Sequence, residues 1–250
     1  MQLHQPSIDA VVVAGGDATV ATAVFAVAGH RTPLAILPLG TANNISHSLG
    51  IQAAPLPEMI ARWATCDRSA IDTGVVTGRW GETLFVEGVG GGLIADSIAS
   101  LSSSVADAPP DRQVAIKRAL EGFRHTLAEA KPQRWSFCLD GQPFEEPLLL
   151  FEVMNMRSVG PLLQLSSHVD PADGFLSVVT AGEEHRGGVD RYLLARIDGA
   201  AEPLDLPVRR ATRVDIDSPR SLHIDDGIRR ISEGDNVALH IKPASFIVLR

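Results

Sequence analysis

The stretch Val11–Gly29 (VVVAGGDATVATAVFAVAG) constrains the fold more than any other part of the sequence. Its first residues form a continuous β-branched run, which is typical of a parallel strand buried on both faces. Two glycines and an aspartate follow, and an alanine-rich helical pattern then ends at Gly29. A second buried strand at Pro33–Gly40 and a short helix over Thr41–Gly50 repeat the order. This part of the chain is therefore predicted to be an α/β layer.

The character of the sequence changes near residue 68. Short segments of strand type follow, separated by Gly, Pro, Asp and Ser, and they predict an antiparallel β-sandwich over residues 69–250 after an α/β domain at 1–68. A helix over Asp111–Ala130 and a weaker one over Gly188–Ile197 interrupt the strands. The first helix has apolar residues near helical spacing: Val114, Ile116, Leu120, Phe123 and Leu127.

Composition narrows the class of protein. A hydrophobic fraction of 45% over 250 residues is that of a globular chain, and a net charge of −8 argues against nucleic acid as a partner. Cys66 and Cys138 are isolated, as in a reducing compartment. The histidines lack metal-ligand spacing, which favours surface or satisfied polar positions. No signal peptide and no transmembrane segment is recognisable, so the expected location is cytoplasmic or peripheral to a membrane.

Two glycine-containing turns follow the first two predicted strands. Gly15–Thr19 (GGDAT) and Gly40–Asn43 (GTAN) lie at carboxyl ends of parallel strands, where open α/β sheets bind ligands. Glycine lets the backbone approach an anion, and the following helix presents free N–H groups. Asp17 and Thr41 are then suited to a magnesium ion and a phosphate oxygen. The residues alone leave a second interpretation open, in which Asp17 or Thr41 caps a helix after an ordinary turn.

Taken together, the two turns resemble the catalytic domain of the diacylglycerol kinase family, which includes bacterial lipid kinases and sphingosine kinases. That family reads GGDGT and PLGTANN at these places. Three downstream segments also resemble the family and occur in its order: Phe85–Ala99, Asn155–Gly182 and Leu222–Ile231. NAD kinases share a GGDG-type motif but lack the PLGTANN segment and this downstream series.

The resemblance implies an ATP-dependent and Mg²⁺-dependent kinase that phosphorylates a lipid hydroxyl, diacylglycerol-like or sphingoid, at a membrane surface. It implies a partial NAD kinase/diacylglycerol kinase-like α/β domain followed by an antiparallel β-sandwich. Asp17 matches a catalytic residue in a magnesium–water network. The nucleotide-binding positions matched are Gly15, Gly16, Asp17, Thr19, Gly40, Thr41 and Asn43.

The resemblance also places a structural magnesium site in the second domain, at Asp170, Asp173 and the backbone of Phe175. Carboxylate and carbonyl oxygens at close spacing suit a hard cation. A simple Asp-Gly turn between strands explains the same residues equally well.

The sequence departs from the family pattern in its motifs. Ala18 stands at the fourth position of GGDGT, and Asn44 occupies a position that is often Asp. Where the family has DGE, with a glutamate that resembles a general base, Asp225–Ile228 reads DDGI. Asp226 is then the catalytic candidate near the lipid hydroxyl, and a structural turn is the alternative. These departures keep open a second function, that of a catalytically inactive nucleotide- or lipid-binding family member.

A further departure concerns the residues ahead of Val11. The resemblance implies additional βα units there, so the sequence is expected to be short at its N-terminus. A parallel sheet without those units has an exposed edge, which favours self-association. A homodimer is therefore an expectation.

Overall fold

The structure is a computed structural model that describes residues 8–103, 111–200, 203–217, 219 and 221–250. The strands are β1 Val11–Gly15, β2 Leu34–Pro38, β3 Arg68–Gly78, β4 Gly81–Phe85, β5 Gly88–Gly92, β6 Gln133–Leu139, β7 Gln142–Leu148, β8 Leu150–Met154, β9 Leu176–Ala181, β10 Val208–Ala211, β11 Arg213–Ile216, β12 Ser221–Ile224, β13 Gly227–Arg230 and β14 Val237–Leu249. The α-helices are α1 Asp17–Val27, α2 Asn44–Ser48, α3 Leu56–Arg62, α4 Leu93–Ser103, α5 Arg112–Glu129 and α6 Arg186–Ile197, and a 3₁₀ turn spans Glu183–His185.

One sheet of eight strands runs through most of the molecule. Its order is β1-β2-β14-β11-β6-β7, and β3 pairs with both β14 and β4. The β1–β2 pair is parallel, and β14 joins it in parallel at Val248 and Leu34. The remaining pairs are antiparallel. The last strand therefore ties the α/β layer to the rest of the sheet, which is continuous across residue 68; the division into domains at that residue stays a prediction.

A second sheet of six antiparallel strands has the order β10-β9-β8-β5-β12-β13. It packs on the first sheet through a core that includes Val76, Phe85, Phe137, Phe151 and Leu239. Alternate residues of strands from both sheets fill this core, which is the arrangement of a β-sandwich.

Three helices cover the other face of the six-stranded sheet. Leu93 of α4, Phe123 of α5 and Tyr192 of α6 share one apolar cluster with Val179 of β9. The apolar face expected on α5 is present, because Leu120, Phe123 and Leu127 are buried, although Val114 at its first turn is exposed. Helix α4 had no sequence-based expectation. In the described part of the chain, no helix is both long enough and apolar enough to cross a membrane.

The packing brings three turns to one place. Helix α1 packs on β1 and β2 through a core that includes Val13, Val24 and Leu34, so the turns after these two strands are neighbours. The second sheet delivers the third turn, because the Asp225 N–H after β12 donates to the Gly88 carbonyl at 2.9 Å. The turns after β1, β2 and β12 define the candidate site.

Candidate active site

The two glycine turns touch through their backbones. A Cβ atom on Gly40 would lie 2.3 Å from the Cα of Gly16, closer than any real contact allows. The Leu39 N–H also donates to the Gly15 carbonyl at 3.0 Å. Only glycine permits this approach at position 40, so the structure brings together the two motifs that the sequence places after separate strands.

Asp17 begins helix α1 and reaches across to the second motif. Its Oδ1 accepts the backbone N–H of Ile45 at 2.9 Å, near the start of α2. Gly16 is the N-cap of α1 and contributes no side-chain cap. The carboxylate therefore bridges two helix starts, rather than capping its own helix as the alternative interpretation supposed.

Asn43 holds the second turn in shape. Its backbone is left-handed (φ 57°), a conformation that asparagine tolerates better than most residues. Its Oδ1 accepts the Gly40 N–H at 2.8 Å, and its Nδ2 donates to the Gly40 carbonyl at 2.9 Å. Asn43 is buried, so the structure gives it a part in forming the loop.

The two predicted threonines occupy different positions. Thr19 lies in the first turn of α1, with its side chain over Gly15, where a Cβ would meet it at 2.7 Å. Thr41 is exposed, and its carbonyl accepts from the guanidinium of Arg112, which also donates to Ala42 O at 3.2 Å. Arg112, at the start of α5, therefore anchors the second turn from the helical layer.

A cavity of about 280 Å³ opens beside the first turn. Its rim carries the exposed side chains of Phe25 and Ile228, and its deep part carries the buried Glu87. It thus combines an apolar entrance with an acidic interior. The lining residues are Asp17, Ala18, Ala21, Thr22, Phe25, Thr83, Leu84, Glu87, Ile224, Asp225, Asp226, Gly227, Ile228 and Arg229.

Glu87 is a candidate site residue that the sequence-based prediction missed. It lies between β4 and β5, and its side chain is almost fully buried. Burial raises the pKa of Glu87 well above its usual value, and the negative charges of Asp17, Asp225 and Asp226 raise it further. A hydrogen bond from the Asn44 side chain opposes the rise. A glutamate inside an otherwise glycine-rich apolar segment was the available signal, because such a position has no structural need for a charge.

Asp225 and Asp226 have different environments in the same turn. Asp225 (φ 47°) accepts the backbone N–H groups of Val86, Glu87 and Gly88 at 3.1, 2.8 and 3.3 Å. Burial nevertheless raises the pKa of Asp225 to about 6, against the lowering effect of these hydrogen bonds. Asp226 is exposed at the cavity rim, where partial desolvation and then Asp17 raise its pKa. Asp225 therefore shapes the turn, and Asp226 is the one of the two that is open to a ligand.

A buried ion pair supports this turn from behind. Nε2 of His223 lies 2.8 Å from Oε2 of Glu152, and both side chains are fully buried. His223 Nδ1 lies 2.9 Å from the Asp225 carbonyl, which only accepts, so the ring donates there. Burial favours the neutral form of His223, but the charge of Glu152 and its hydrogen bond outweigh burial and raise the pKa of His223. A Cβ on Gly90 would lie 2.0 Å from Glu152 Oε2, so glycine at this position makes room for the pair.

Comparison with known proteins agrees with this geometry. The sequence model of one protein family, the diacylglycerol kinase catalytic domain, matches residues 1–76, which include both glycine turns. A diacylglycerol kinase of Mycobacterium tuberculosis is 27% identical over 97% of this chain and 77% of its own length. One from Bacillus subtilis is 26% identical over 68% of this chain and 54% of its own.

The first 76 residues of the chain match the diacylglycerol kinase catalytic domain, and the relatives that carry this name support assignment to that family.

Solved structures support the same fold. A putative diacylglycerol kinase from Bacillus anthracis superposes with a TM-score of 0.72 at 20% identity, over 96% of this chain and 78% of that one. A yeast NADH kinase, solved as a complex with NADH, gives 0.52 at 11% identity, over 96% and 61%. The expected fold class, an NAD kinase/diacylglycerol kinase-like α/β part followed by a β-sandwich, is confirmed.

The structure shows the setting of each position at which the sequence departs from the diacylglycerol kinase pattern. Ala18 lies within helix α1, and its φ is not positive, so alanine needs no strained backbone there. Asn44 is buried and donates to the Gly160 carbonyl at 2.8 Å, while its Oδ1 has no partner among the described residues. The glutamate of DGE has no counterpart in Asp225–Ile228, but Glu87 adds a carboxyl to the same cavity from a neighbouring strand end.

The predicted structural magnesium site lies outside this cavity. Asp173 accepts from Phe175 N at 3.0 Å and from Arg210 at 2.7 Å, and Arg210 also lies over the Phe175 ring. Asp170 accepts from Ala172 N at 3.1 Å. These are the contacts of the Asp-Gly turn that the sequence left open, and the magnesium assignment stays a prediction.

A catalytic magnesium ion can be tested against the cavity residues. Within the described ranges no group of three or more His, Cys, Asp or Glu side chains forms a metal site. Mg²⁺ is usually held by only one or two carboxylates together with substrate phosphates and water. Negative charge is in excess in this cavity, whose described lining has the carboxylates of Asp17, Glu87, Asp225 and Asp226 against the one cation Arg229. The donor chemistry and the uncompensated charge therefore fit a magnesium ion that arrives with a nucleotide.

Proposed function

We propose that this chain is an ATP-dependent and Mg²⁺-dependent lipid kinase that transfers the γ-phosphoryl group of ATP to a lipid hydroxyl. Two relatives that match it carry the name diacylglycerol kinase. The acceptor is a diacylglycerol-like or sphingoid lipid presented at a membrane surface. The expected nucleotide-binding residues keep the assignments made from the sequence.

The contact between Gly16 and Gly40 is the observation that carries the proposal. It leaves no side chain between the two turns and the start of α1, where the first N–H groups lack a side-chain cap. Uncapped N–H groups at a helix start attract an anion, and the helix dipole adds to the attraction. A phosphate chain therefore has a backbone site directly beside the Asp17 carboxylate.

Magnesium would be held by Asp17, by water and by the nucleotide's own phosphates. The ion supplies neutralisation of phosphate charge, which is the main requirement of phosphoryl transfer. Asp17 is suited to this because the Ile45 N–H orients its carboxylate. Asp226 lies on the rim of the same cavity and is the second carboxylate proposed to act on the reactants.

The apolar entrance of the cavity suits the lipid. Phe25 and Ile228 are exposed at 40% and 37% and lie at the mouth of a cavity whose interior is acidic. Such residues contact the apolar part of an amphipathic acceptor while its hydroxyl points inward.

The test is transfer of labelled γ-phosphate from ATP to lipid. The purified chain is incubated with Mg²⁺ and mixed micelles of diacylglycerol or sphingosine, with EDTA as the control. A labelled lipid that disappears with EDTA is expected. No product from any lipid, together with calorimetric binding of a non-hydrolysable ATP analogue, would instead identify the inactive nucleotide-binding alternative.

A further inference from the structure

We propose that Glu87 is a catalytic residue whose carboxylate accepts the proton of the lipid hydroxyl during phosphoryl transfer. This inference rests on the proposed function and assigns a residue that replaces the missing glutamate of the DGE motif. No sequence motif pointed to it. Its support is the position of Glu87 in the cavity and the commitments of the other carboxylates there.

The backbone of Glu87 is fixed on both sides. Its N–H donates to Asp225 Oδ1 at 2.8 Å, and its carbonyl accepts from the N–H groups of Asn155 and Met156 at 2.9 and 3.0 Å. The side chain of Asn155 adds a hydrogen bond to the neighbouring Val86 carbonyl at 2.9 Å. A residue pinned in this way presents its side chain in one direction, which a catalytic group requires.

The side chain of Glu87 lies where a hydroxyl group would enter. It lines the cavity together with Asp17, yet only 3% of the residue is exposed. The Asn44 side chain, from the second motif, is close enough to lower the pKa of this carboxyl. The carboxyl group thus lies between the turn that is proposed to hold the nucleotide and the strand end of the second sheet.

The other carboxylates of the cavity are less suited to this role. Asp225 uses both oxygens on backbone N–H groups. Asp17 is turned toward Ile45 N and is proposed to serve the magnesium ion. Asp226 is exposed, so water competes for its oxygens. Among the described residues that line the cavity, Glu87 is the buried carboxylate whose oxygens accept from no backbone N–H.

The step balances without an additional reactant. The hydroxyl O–H bond breaks and its proton passes to a carboxylate oxygen of Glu87, while an oxygen lone pair forms the bond to the γ-phosphorus. The bond from that phosphorus to the bridging oxygen breaks, and its electron pair leaves on ADP. Glu87 must be ionised to accept this proton, and the positive charge of a bound magnesium ion would favour the ionised form against the burial and the neighbouring carboxylates that raise the pKa of Glu87. The proton returns to water when the products leave.

The experiment compares Glu87→Gln with Glu87→Asp and the wild type in the diacylglycerol assay. Glutamine keeps the shape of the side chain but cannot accept the proton, so we expect turnover to fall about 10²- to 10⁴-fold. Aspartate keeps a carboxylate at a longer distance and should recover part of that loss. The affinity for a magnesium complex of a non-hydrolysable ATP analogue, measured by calorimetry, should change less than about twofold.

Glu82→Gln is the matched control. Glu82 is an exposed glutamate of β4 that lies outside the cavity lining, so turnover should be unchanged. Turnover of Glu87→Gln within about threefold of the wild type would overturn the role of Glu87 and leave the kinase proposal standing. A loss of nucleotide affinity as large as the loss of turnover would also overturn it. A wild-type protein that labels no lipid would contradict the kinase proposal itself.

Discussion

Two acidic regions of this protein differ in how their charges are neutralised. The first is the cavity beside Asp17, and the second is the turn that contains Asp170 and Asp173. In the first, Asp17, Glu87 and Asp226 line one cavity, and burial and then the charge of Asp17 raise the pKa values of Glu87 and Asp226. In the second, Asp173 is paired with Arg210, and its other oxygen accepts a backbone N–H. Several carboxylates gathered in one place are costly to a folded protein because they repel one another, whereas Asp173 has a cationic partner in Arg210.

The contrast separates a site from a structural turn. The neighbouring Asp72 shows the structural pattern again, because its two oxygens accept the N–H groups of Gly174 and Ala244, each at 2.8 Å. Asp72 and Asp173 thus each have partners inside the protein for their charges. For the cavity, in contrast, we expect a cation or protons to offset the excess negative charge, and a magnesium nucleotide is the cation source in the proposed function.

The largest expected effect is on Asp17. Asparagine at this position keeps an oxygen for the Ile45 N–H and removes only the negative charge. We expect Asp17→Asn to reduce magnesium-dependent turnover by at least about 10²-fold. The measurement is lipid phosphorylation at saturating ATP, with Asp190→Asn, an exposed aspartate paired with Arg124, as the control. Unchanged turnover in Asp17→Asn would remove the distinction between the two turns.

The sequence predicted where the site lies better than it predicted which residues form it. The glycine turns could be predicted because a close approach of two backbones, such as that of Gly40 to Gly16, requires glycine, and the glycines are visible in the sequence. Glu87 was not readable in this way. Its importance depends on Asp225 and Asn44 lying beside it, and those contacts join residues far apart in the chain.

The strand pattern was predictable, but the joining of the two parts of the chain was not. Alternating and continuous apolar segments indicated an α/β layer and a sandwich. The segments Asn236–Ile241 and Ser245–Arg250 each have the pattern of a separate strand, yet the structure joins them in the single strand β14 with an irregularity between Lys242 and Phe246. The left-handed Ala244 marks the bend. Nothing local in the sequence indicates that this strand pairs with β2, because pairing depends on the packing of the whole sheet.

The next largest effect is a loss of stability, and it concerns the buried carboxylate of Glu152 behind the cavity. Its only charged partner in the contacts of the described residues is His223. His223→Leu leaves the carboxylate buried without a cation, and we expect a loss of about 3–5 kcal/mol in the free energy of unfolding. Chemical denaturation measures it.

The double variant Glu152→Met/His223→Leu distinguishes a charge effect from lost packing. Removing both members replaces the pair with apolar groups, so the double variant should lose less stability than His223→Leu alone. Additive losses in this cycle would show that the two charges do not compensate each other. Pairing with a cation would then not explain why paired carboxylates and the carboxylates of the cavity differ.

A smaller effect should appear in the pH dependence of stability. The raised pKa values of Asp225, about 6, and of Glu87 mean that the folded protein holds protons that the unfolded chain has released. Stability from these groups is therefore present below the unfolded pKa values and is lost as the pH rises through the folded ones. We expect the free energy of unfolding to be higher near about pH 5 than near about pH 8 by on the order of 1 kcal/mol or more.

Glu87→Gln makes this prediction specific to the cavity. The variant removes one of the titrating groups, so its stability should fall less between the two pH values and should exceed that of the wild type at the higher one. His223, whose pKa is also raised, leaves a residual slope of the same sign. An identical pH dependence of the free energy of unfolding in the variant and the wild type would show that the pKa of Glu87 is not raised in the folded protein.

The smallest effect is expected at the second acidic turn. Arg210 is half exposed, so Arg210→Ala should cost about 1 kcal/mol or less from the ion pair with Asp173. Turnover should stay within about twofold of the wild type, since Arg210 is not among the residues that line the cavity. Thermal unfolding of this variant with Mg²⁺ and with EDTA then decides what neutralises the turn. If Mg²⁺ stabilises Arg210→Ala and the wild type equally, Asp173 needs only its arginine. If Mg²⁺ restores the variant alone, the turn accepts a cation in place of the guanidinium, and the magnesium site predicted at Asp170 and Asp173 is real.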